Sequence, residues 1–216
     1  MNCKKEDLLL YAVTDRHWLG EHTLYDAVEE ALQGGVTFLQ LREKNTDHRD
    51  LIPEAAAIRD LCHRYQVPFV VDDDVDLALE INADGVHVGQ DDMEVRDVRA
   101  KLGPNKIIGV TAKTVEQALW AQTHGADYIG SGAVFATSSK PDAKPLNHET
   151  LQQICKAVSI PVVAIGGVDA SNIRQLAGRG VAGVAVIQGI FGQPNIKKAA
   201  EQLHELAQNI CSNNDF

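Results

Sequence analysis

The stretch LLLYAVTDRHWLGEHTLYDAVEEALQGGVTFLQLR, residues 8–42, holds two strand-like runs with a helix-like run between them. Its ends, LLLYAVT (8–14) and VTFLQLR (36–42), are short and apolar or β-branched, as buried strands are. In TLYDAVEEALQGG (23–35), Leu24, Ala27, Val28, Ala31 and Leu32 recur at the i, i+3, i+4, i+7 spacing of a helix with one apolar face. Thr23 is placed to cap its first turn and Gly34-Gly35 to end it. A strand, a helix and a strand in this order predict two parallel strands joined by a crossover.

Outward from this unit, PFVV (68–71), DGVHV (84–88), KIIGVT (106–111), DYIGSG (127–132), PVVAIG (161–166) and AGVAVI (182–187) repeat the strand pattern, with amphipathic stretches between them. Eight such units closing into a ring make an α/β protein of the (β/α)8 TIM barrel class, and 216 residues are near its lower size limit. A doubly wound open sheet is the competing arrangement. It usually carries a glycine fingerprint after its first strand, where this chain has TDRHW. With 44% hydrophobic residues and no Pro/Ser-rich linker, residues 1–216 are expected to form a single domain around one core.

The formal net charge of -10 argues against nucleic acid or an anionic membrane as a partner, because either would need a broad basic surface. Apolar runs such as VAGVAVI (181–187) fall short of the roughly 20 residues of a membrane span. The beginning, MNCKKEDLLLYAV, runs directly into TDRHW and reads as a first strand, not a secretory signal. Cys3, Cys62, Cys155 and Cys211 are scattered and form no CxxC, so reduced thiols in a cytoplasmic protein are expected. The pattern leaves the oligomeric state open, and a homo-oligomer is compatible with it.

Barrel enzymes carry their chemistry just beyond the C-terminal ends of the strands, and those positions are polar here. In FLQLREKN (38–45), alternation sends Phe38, Gln40, Arg42 and Lys44 to one side and Leu39, Leu41 and Glu43 to the other. One face thus changes from apolar to cationic at the strand's end. Asp73 and Asp92 follow adjacent strands and form a two-carboxylate pair suited to Mg²⁺, which keeps waters and shares its shell with phosphate oxygens. Asp74 fits instead as the cap of the helix that DDDVDLALE opens. Thr137, Ser138, Ser139 and Lys140 in ATSSKPDAKP offer hydroxyls, N–H groups and an ammonium to a phosphate. Gly166-Gly167 and Gly189 follow the last two strands, where this fold binds phosphate and where glycine lets the backbone come close. The mouth is therefore expected to hold two phosphorylated small-molecule groups, one with Mg²⁺, Arg42, Lys44 and Lys140, the other at the glycine-rich end. His87 reads as a hydrogen-bonded barrel histidine, while His17 and Trp18 receive no role.

Together YAVTDR (11–16), QLREK (40–44), DDDVDLAL (72–79), GVHVGQDD (85–92), ATSSKPDA (136–143) and AIGGV (164–168) resemble the thiamine phosphate synthase family, in order and spacing over nearly the whole chain. The resemblance implies a (β/α)8 transferase that joins hydroxymethylpyrimidine diphosphate to hydroxyethylthiazole phosphate, or its carboxylated form, giving thiamine monophosphate and pyrophosphate by a dissociative, carbocation-like substitution. It implies that Gln40, Arg42, Lys44, Asp72, Thr111 and Lys140 contact the pyrimidine diphosphate, with Arg42, Lys44 and Lys140 catalytic. Thr137, Ser138, Ser139, Gly167, Ile187 and Gln188 would hold the thiazole phosphate, and Asp73 and Asp92 would bind Mg²⁺.

Four positions depart from the family pattern: Asp72 stands for Asn, Ala136 for Pro, Ser139 for Thr and Gln188 for Ser. Ser139 keeps a hydroxyl, and Ala136 alters loop stiffness. Asp72 loses an amide donor, and Gln188 puts a longer side chain beside the thiazole phosphate. Two other readings follow from the same resemblance. A thiazole tautomerase relative would need an acid/base histidine near the site, and VTAKT (110–114) has none. A non-catalytic thiazole-phosphate-binding regulator would not require Asp73, Asp92, Arg42, Lys44 and Lys140 together.

Overall fold

Residues 2–44, 46–137 and 145–212 are described by the structure, a computed structural model. Strands form at all eight expected places: β1 (Leu10–Val13), β2 (Phe38–Leu41), β3 (Phe69–Asp72), β4 (Gly85–Val88), β5 (Ile107–Thr111), β6 (Tyr128–Gly132), β7 (Val162–Ile165) and β8 (Gly183–Val186). Each pairs in parallel with its chain neighbours. Pairing of β8 back onto β1, from Leu10↔Val184 to Ala12↔Val186, closes the barrel.

The helices are α1 (Leu24–Gln33), α2 (His48–Arg64), α3 (Val75–Glu80), α4 (Val95–Leu102), α5 (Val115–Thr123), α6 (His148–Ala157), α7 (Gln188–Phe191) and α8 (Ile196–Cys211). The Thr23 hydroxyl caps α1 by accepting from the Asp26 N–H at 3.1 Å, and Gly34 ends the helix. The five apolar residues spaced for one face are the ones α1 buries. No helix among the described residues is long and apolar enough to cross a membrane.

Strand alternation divides the core in two. Leu10, Ala12, Leu39, Leu41, Val86 and Val88 face outward and pack under the helices. Tyr11, Phe38, Val70, Tyr128, Val163 and Ala185 face inward, and Cys3 and Leu8 join them from the N-terminal segment. Tyr11 and Tyr128 both meet Phe38 edge to face, at centroid distances of 4.7 Å and 5.6 Å. The interior is thus a packed core, and only its upper end is open to chemistry.

Helix alternation fails once. Between β7 and β8 the chain makes only a 3-10 turn, Ile173–Leu176. Asp169 and Asn172 tie the preceding loop to itself, and Gly178 and Gly180 follow at positive φ, so one apolar turn is all that fits. α8 packs against that turn as well as against α1 and β1. The extra helix appears later, as the short α7 between β8 and α8.

The lower end of the barrel is held by a polar knot. Asp127, 4% exposed, accepts from the Ile108 N–H at 3.0 Å, from Arg99 Nη2 at 2.7 Å and from the Asn2 N–H at 2.7 Å. Asn2 in turn donates to the carbonyls of Pro104 and Lys106. Removing a carboxylate that pairs a guanidinium in a dry setting leaves the cation uncompensated. Asp127→Ala should therefore destabilise the fold by about 3–5 kcal/mol. Denaturant unfolding checks it, and substrate affinity of the folded variant should not change.

Candidate active site

Three side chains of the β2 stretch climb the same wall. Gln40, 4% exposed, lies within the barrel, Arg42 stands at the rim, and Lys44 lies beyond it. Glu43 points the other way, where Arg16 Nε meets it at 2.5 Å. Arg42 pairs with Asp15 at 3.5 Å and with Asp72 at 3.8 Å, while Lys44 bridges Asp72 at 3.0 Å and Asp73. Burial pushes the Asp72 carboxyl above its usual range against the pull of Lys44 and Arg42. Burial would lower the Lys44 ammonium, but Asp73 and Asp72 outweigh it and hold it above its ordinary value.

The triplet Asp72-Asp73-Asp74 gives one residue type three tasks. Asp72 ends β3 on its inward face. Asp73 sits at φ +60°, a left-handed conformation that Asp tolerates better than most residues, and its N–H donates to the His87 carbonyl at 2.8 Å. Asp74 caps α3 by accepting from the Leu77 N–H at 2.8 Å, as its place in the sequence predicts. Asp92, whose carboxylate also accepts from the Gly89 N–H at 2.8 Å, comes into hydrogen-bonding contact with Asp73. Burial first and Asp73 second raise its pKa, the mark of two carboxylates sharing a site.

Below the mouth, hydrogen bonds cross the barrel. Gln40 Nε2 donates to the Tyr11 hydroxyl at 2.7 Å, the Tyr11 and Tyr128 hydroxyls are 2.8 Å apart, and Tyr128 meets His87 Nδ1 at 3.0 Å. His87 Nε2 lies 2.9 Å from Thr111 Oγ1. His87 is the barrel histidine the sequence suggests, with both ring nitrogens engaged. Tyr11 and Tyr128 escape a reading of the mouth because they sit a layer deeper. Their inward register in strands otherwise lined by small or aliphatic residues is the signal that could have found them.

Gln40, Arg42, Lys44, Asp72, Asp73, Asp92 and Thr111 converge on one cavity of about 230 Å³, open to solvent. Lys113, two residues beyond β5, joins them. A second cavity of about 180 Å³ gathers Thr137, Gly167, Ile187 and Gln188, and the two share Thr137, Ile165, Gly166 and Ile187. Asp169 and Gln193 line the second cavity, and neither was expected there. Ser138, Ser139 and Lys140 lie outside the described residues.

The glycines of this end have a reason beyond room for a ligand. Gly166 and Gly167 take φ of +98° and +66°, and a Cβ on Gly167 would stand 2.2 Å from the Ala136 carbonyl oxygen. They allow the β6 and β7 loops to touch. Asn172 Nδ2 then ties off the Gly167 carbonyl at 2.8 Å.

Residues 10–190 match the family model described as thiamine monophosphate synthase. A thiamine-phosphate synthase of Ruminiclostridium cellulolyticum is 48% identical over 205 residues, which cover 95% of this chain and 98% of that protein. One of Clostridium tetani is 45% identical over 203 residues, covering 94% and 97%. The solved thiamine phosphate pyrophosphorylase from Pyrococcus furiosus shares the fold with a TM-score of 0.88 at 39% identity, over 95% of this chain and 98% of that one.

One bridge beside the site is sensitive to pH. His48, at the start of α2, meets Asp74 at 2.8 Å and Glu80 at 3.0 Å, and these partners, Glu80 foremost, raise its pKa. A group whose pKa rises on folding contributes stability that is complete below its unfolded value of about 6.5 and is lost as pH climbs through the folded value. Because the bridge is near the surface, its contribution stays below about 1 kcal/mol. His48→Ala should lower the thermal midpoint at about pH 6 and much less at about pH 9. An equal loss at both would mean that His48 acts through packing alone.

Proposed function

Since this chain belongs to the thiamine monophosphate synthase family and is a transferase of thiamine biosynthesis, we propose that its barrel mouth joins hydroxymethylpyrimidine diphosphate to hydroxyethylthiazole phosphate or its carboxylated form. The observation that carries this reading is the convergence of Gln40, Arg42, Lys44, Asp73, Asp92 and Thr111 on a cavity that adjoins the Gly166-Gly167 compartment. A diphosphate at the cationic wall and a single phosphate at the glycine end would place the two reacting groups side by side. Residues 1–216 are read as one catalytic domain, working in a cytoplasm where all four thiols are free.

The bond broken joins the pyrimidine's methylene carbon to the diphosphate oxygen, and its electron pair leaves with pyrophosphate. The electron-rich aminopyrimidine stabilises the methylene cation, and the thiazole nitrogen's lone pair makes the new carbon–nitrogen bond. No nucleophile or proton carrier of the protein is needed. What the chain supplies is charge and alignment: Arg42, Lys44 and Lys140 meet the charge that grows on the leaving group, and Thr111 offers it a hydroxyl. Gln40 and Asp72 orient the pyrimidine. Thr137, Ser138, Ser139, Gly167 and the Ile187-Gln188 backbone hold the thiazole phosphate at the head of α7. As a carboxylate, Asp72 accepts from the exocyclic amine as an Asn would, and adds a negative charge near the cation.

Asp73 and Asp92 fit a hard divalent cation. They are two carboxylates in contact, and no group of three or more His, Cys, Asp or Glu side chains among the described residues is arranged to hold a metal. Such a pair suits Mg²⁺, which completes its shell with water and phosphate oxygens. When bound, Mg²⁺ supplies Lewis-acid neutralisation of the diphosphate.

Purified protein with both substrates and Mg²⁺ should yield thiamine monophosphate by mass, and correctly folded protein that yields none would favour a binding or regulatory role. Asp92→Ala should lose most of the turnover with its fold intact, and full activity in excess chelator would sink the metal assignment. The two compartments separate in kinetics. Arg42→Ala should lower kcat by at least about tenfold, because its partner's charge grows in the transition state. Thr137→Ala should chiefly raise the KM for the thiazole phosphate, and identical defects in the two variants would contradict the division.

A further inference from the structure

The buried links beneath the mouth run without a break from Gln40 to Thr111, two residues on opposite sides of the cavity. We propose that Tyr11, Tyr128 and His87 are positioning residues that form a one-way hydrogen-bond chain, which presents Gln40 to the substrate as an acceptor and Thr111 as a donor. The inference rests on the pyrimidine diphosphate occupying this cavity.

The direction follows from counting hydrogens. A Gln amide nitrogen only donates, so the Tyr11 oxygen accepts from Gln40 Nε2, and Tyr11's single hydrogen goes to the Tyr128 oxygen. The Tyr128 hydrogen is then directed at His87 Nδ1, which must be bare to accept it. His87 is buried and both its ring nitrogens meet hydroxyls, so with Nδ1 accepting, the ring's one N–H is on Nε2. That N–H donates to Thr111 Oγ1, and the Thr111 hydrogen is left to point into the cavity.

Reversal at one end would reverse every link. With the Gln40 amide turned over, Tyr11 would donate to Gln40 and Tyr128 to Tyr11, His87 would carry its hydrogen on Nδ1, and Thr111 would spend its own on Nε2. Thr111 would then face a diphosphate with lone pairs only, and Gln40 would meet the pyrimidine's exocyclic amine with another amine. A diphosphate has no hydrogen to offer, so both ends of the ligand select the same direction.

The barrel gives up packing to make room for the chain. A Cβ on Gly109 would lie 2.1 Å from the Tyr128 ring and 2.5 Å from His87 Nδ1, and one on Gly130 would lie 3.0 Å from His87 Cε1. Tyr11 is 1% exposed and Tyr128 fully buried, so water does not compete for the central links. Such a chain polarises along its length, so the role of one end is coupled to the role of the other.

The direct test reads the His87 tautomer in the full chain without substrate, by long-range proton–nitrogen correlation on histidine-labelled protein at about pH 7.5, where a neutral ring is expected. The His87 signals are those lost in His87→Gln. A hydrogen on Nε2 is the expected result, and a hydrogen on Nδ1 overturns the proposal. In kinetics, Tyr128→Phe should raise the KM for the pyrimidine diphosphate about five- to tenfold, as for a lost hydrogen bond, and leave that for the thiazole phosphate within about twofold. It should also release His87 into a mixture of tautomers. No change, or equal rises in both KM values, overturns the proposal, and Tyr11→Phe makes the same test if Tyr128→Phe fails to fold. The tautomer is read without turnover, so it judges the chain separately from product formation by the unaltered protein, which judges the reaction.

Discussion

Pairing of β8 with β1 is the contact on which everything else depends. It turns eight short strands, none longer than 5 residues, into a ring with no free edge. Because all eight run parallel, their C-terminal ends meet at one mouth. Residues separated by most of the chain become neighbours there, as when Gln40 and Ile187 border the same cavity. Closure also removes water from the interior, so every polar group that points inward must find a protein partner or face the mouth. Gln40, His87 and the two tyrosines satisfy that demand in each other, and they link the site across its floor.

Charge is distributed in an unusual way around this ring. The chain carries 30 acidic against 20 basic residues, yet the β2 wall is cationic. Arg42 and Lys44 remain there because Asp15, Asp72 and Asp73 neutralise them in the absence of ligand. The same carboxylates that steady the cations include half of the pair assigned to the metal. An anionic substrate entering with a divalent ion would therefore exchange partners within one cluster, with little change in its net charge. Asp72 belongs in this balance, since two cations lie within 3.8 Å of its carboxylate.

The glycine-rich end follows a different logic. Gly166 and Gly167 look, in sequence, like a cradle for phosphate. In the fold they are also hinge points where two loops pass so closely that no side chain fits. The proposed cradle is compatible with this, because a backbone with no side chains on it can accept both a neighbouring loop and an anion. The irregular crossover between β7 and β8 adds to this. With only a 3-10 turn there, α7 and α8 after β8 cover the space, and the head of α7 arrives at the second cavity.

Period-two alternation and helical spacing sufficed to locate all eight strands, the cap of α1 and the parallel order, because these are local properties of five to twelve residues. The split of Phe38, Gln40, Arg42 and Lys44 from Leu39, Leu41 and Glu43 was legible for the same reason. So was the difference between Asp74, a cap, and its neighbours. The missing crossover helix was not, since Asn172 and Gly178 act through loop contacts whose outcome depends on how α8 packs above them. Nor were Tyr11 and Tyr128, which look like ordinary core aromatics until closure sets their hydroxyls 2.8 Å apart. A strand's periodicity tells which side chains face inward, but not which of them meet across the ring. Only the stagger of the closed sheet determines that, by setting the height at which each strand enters the barrel.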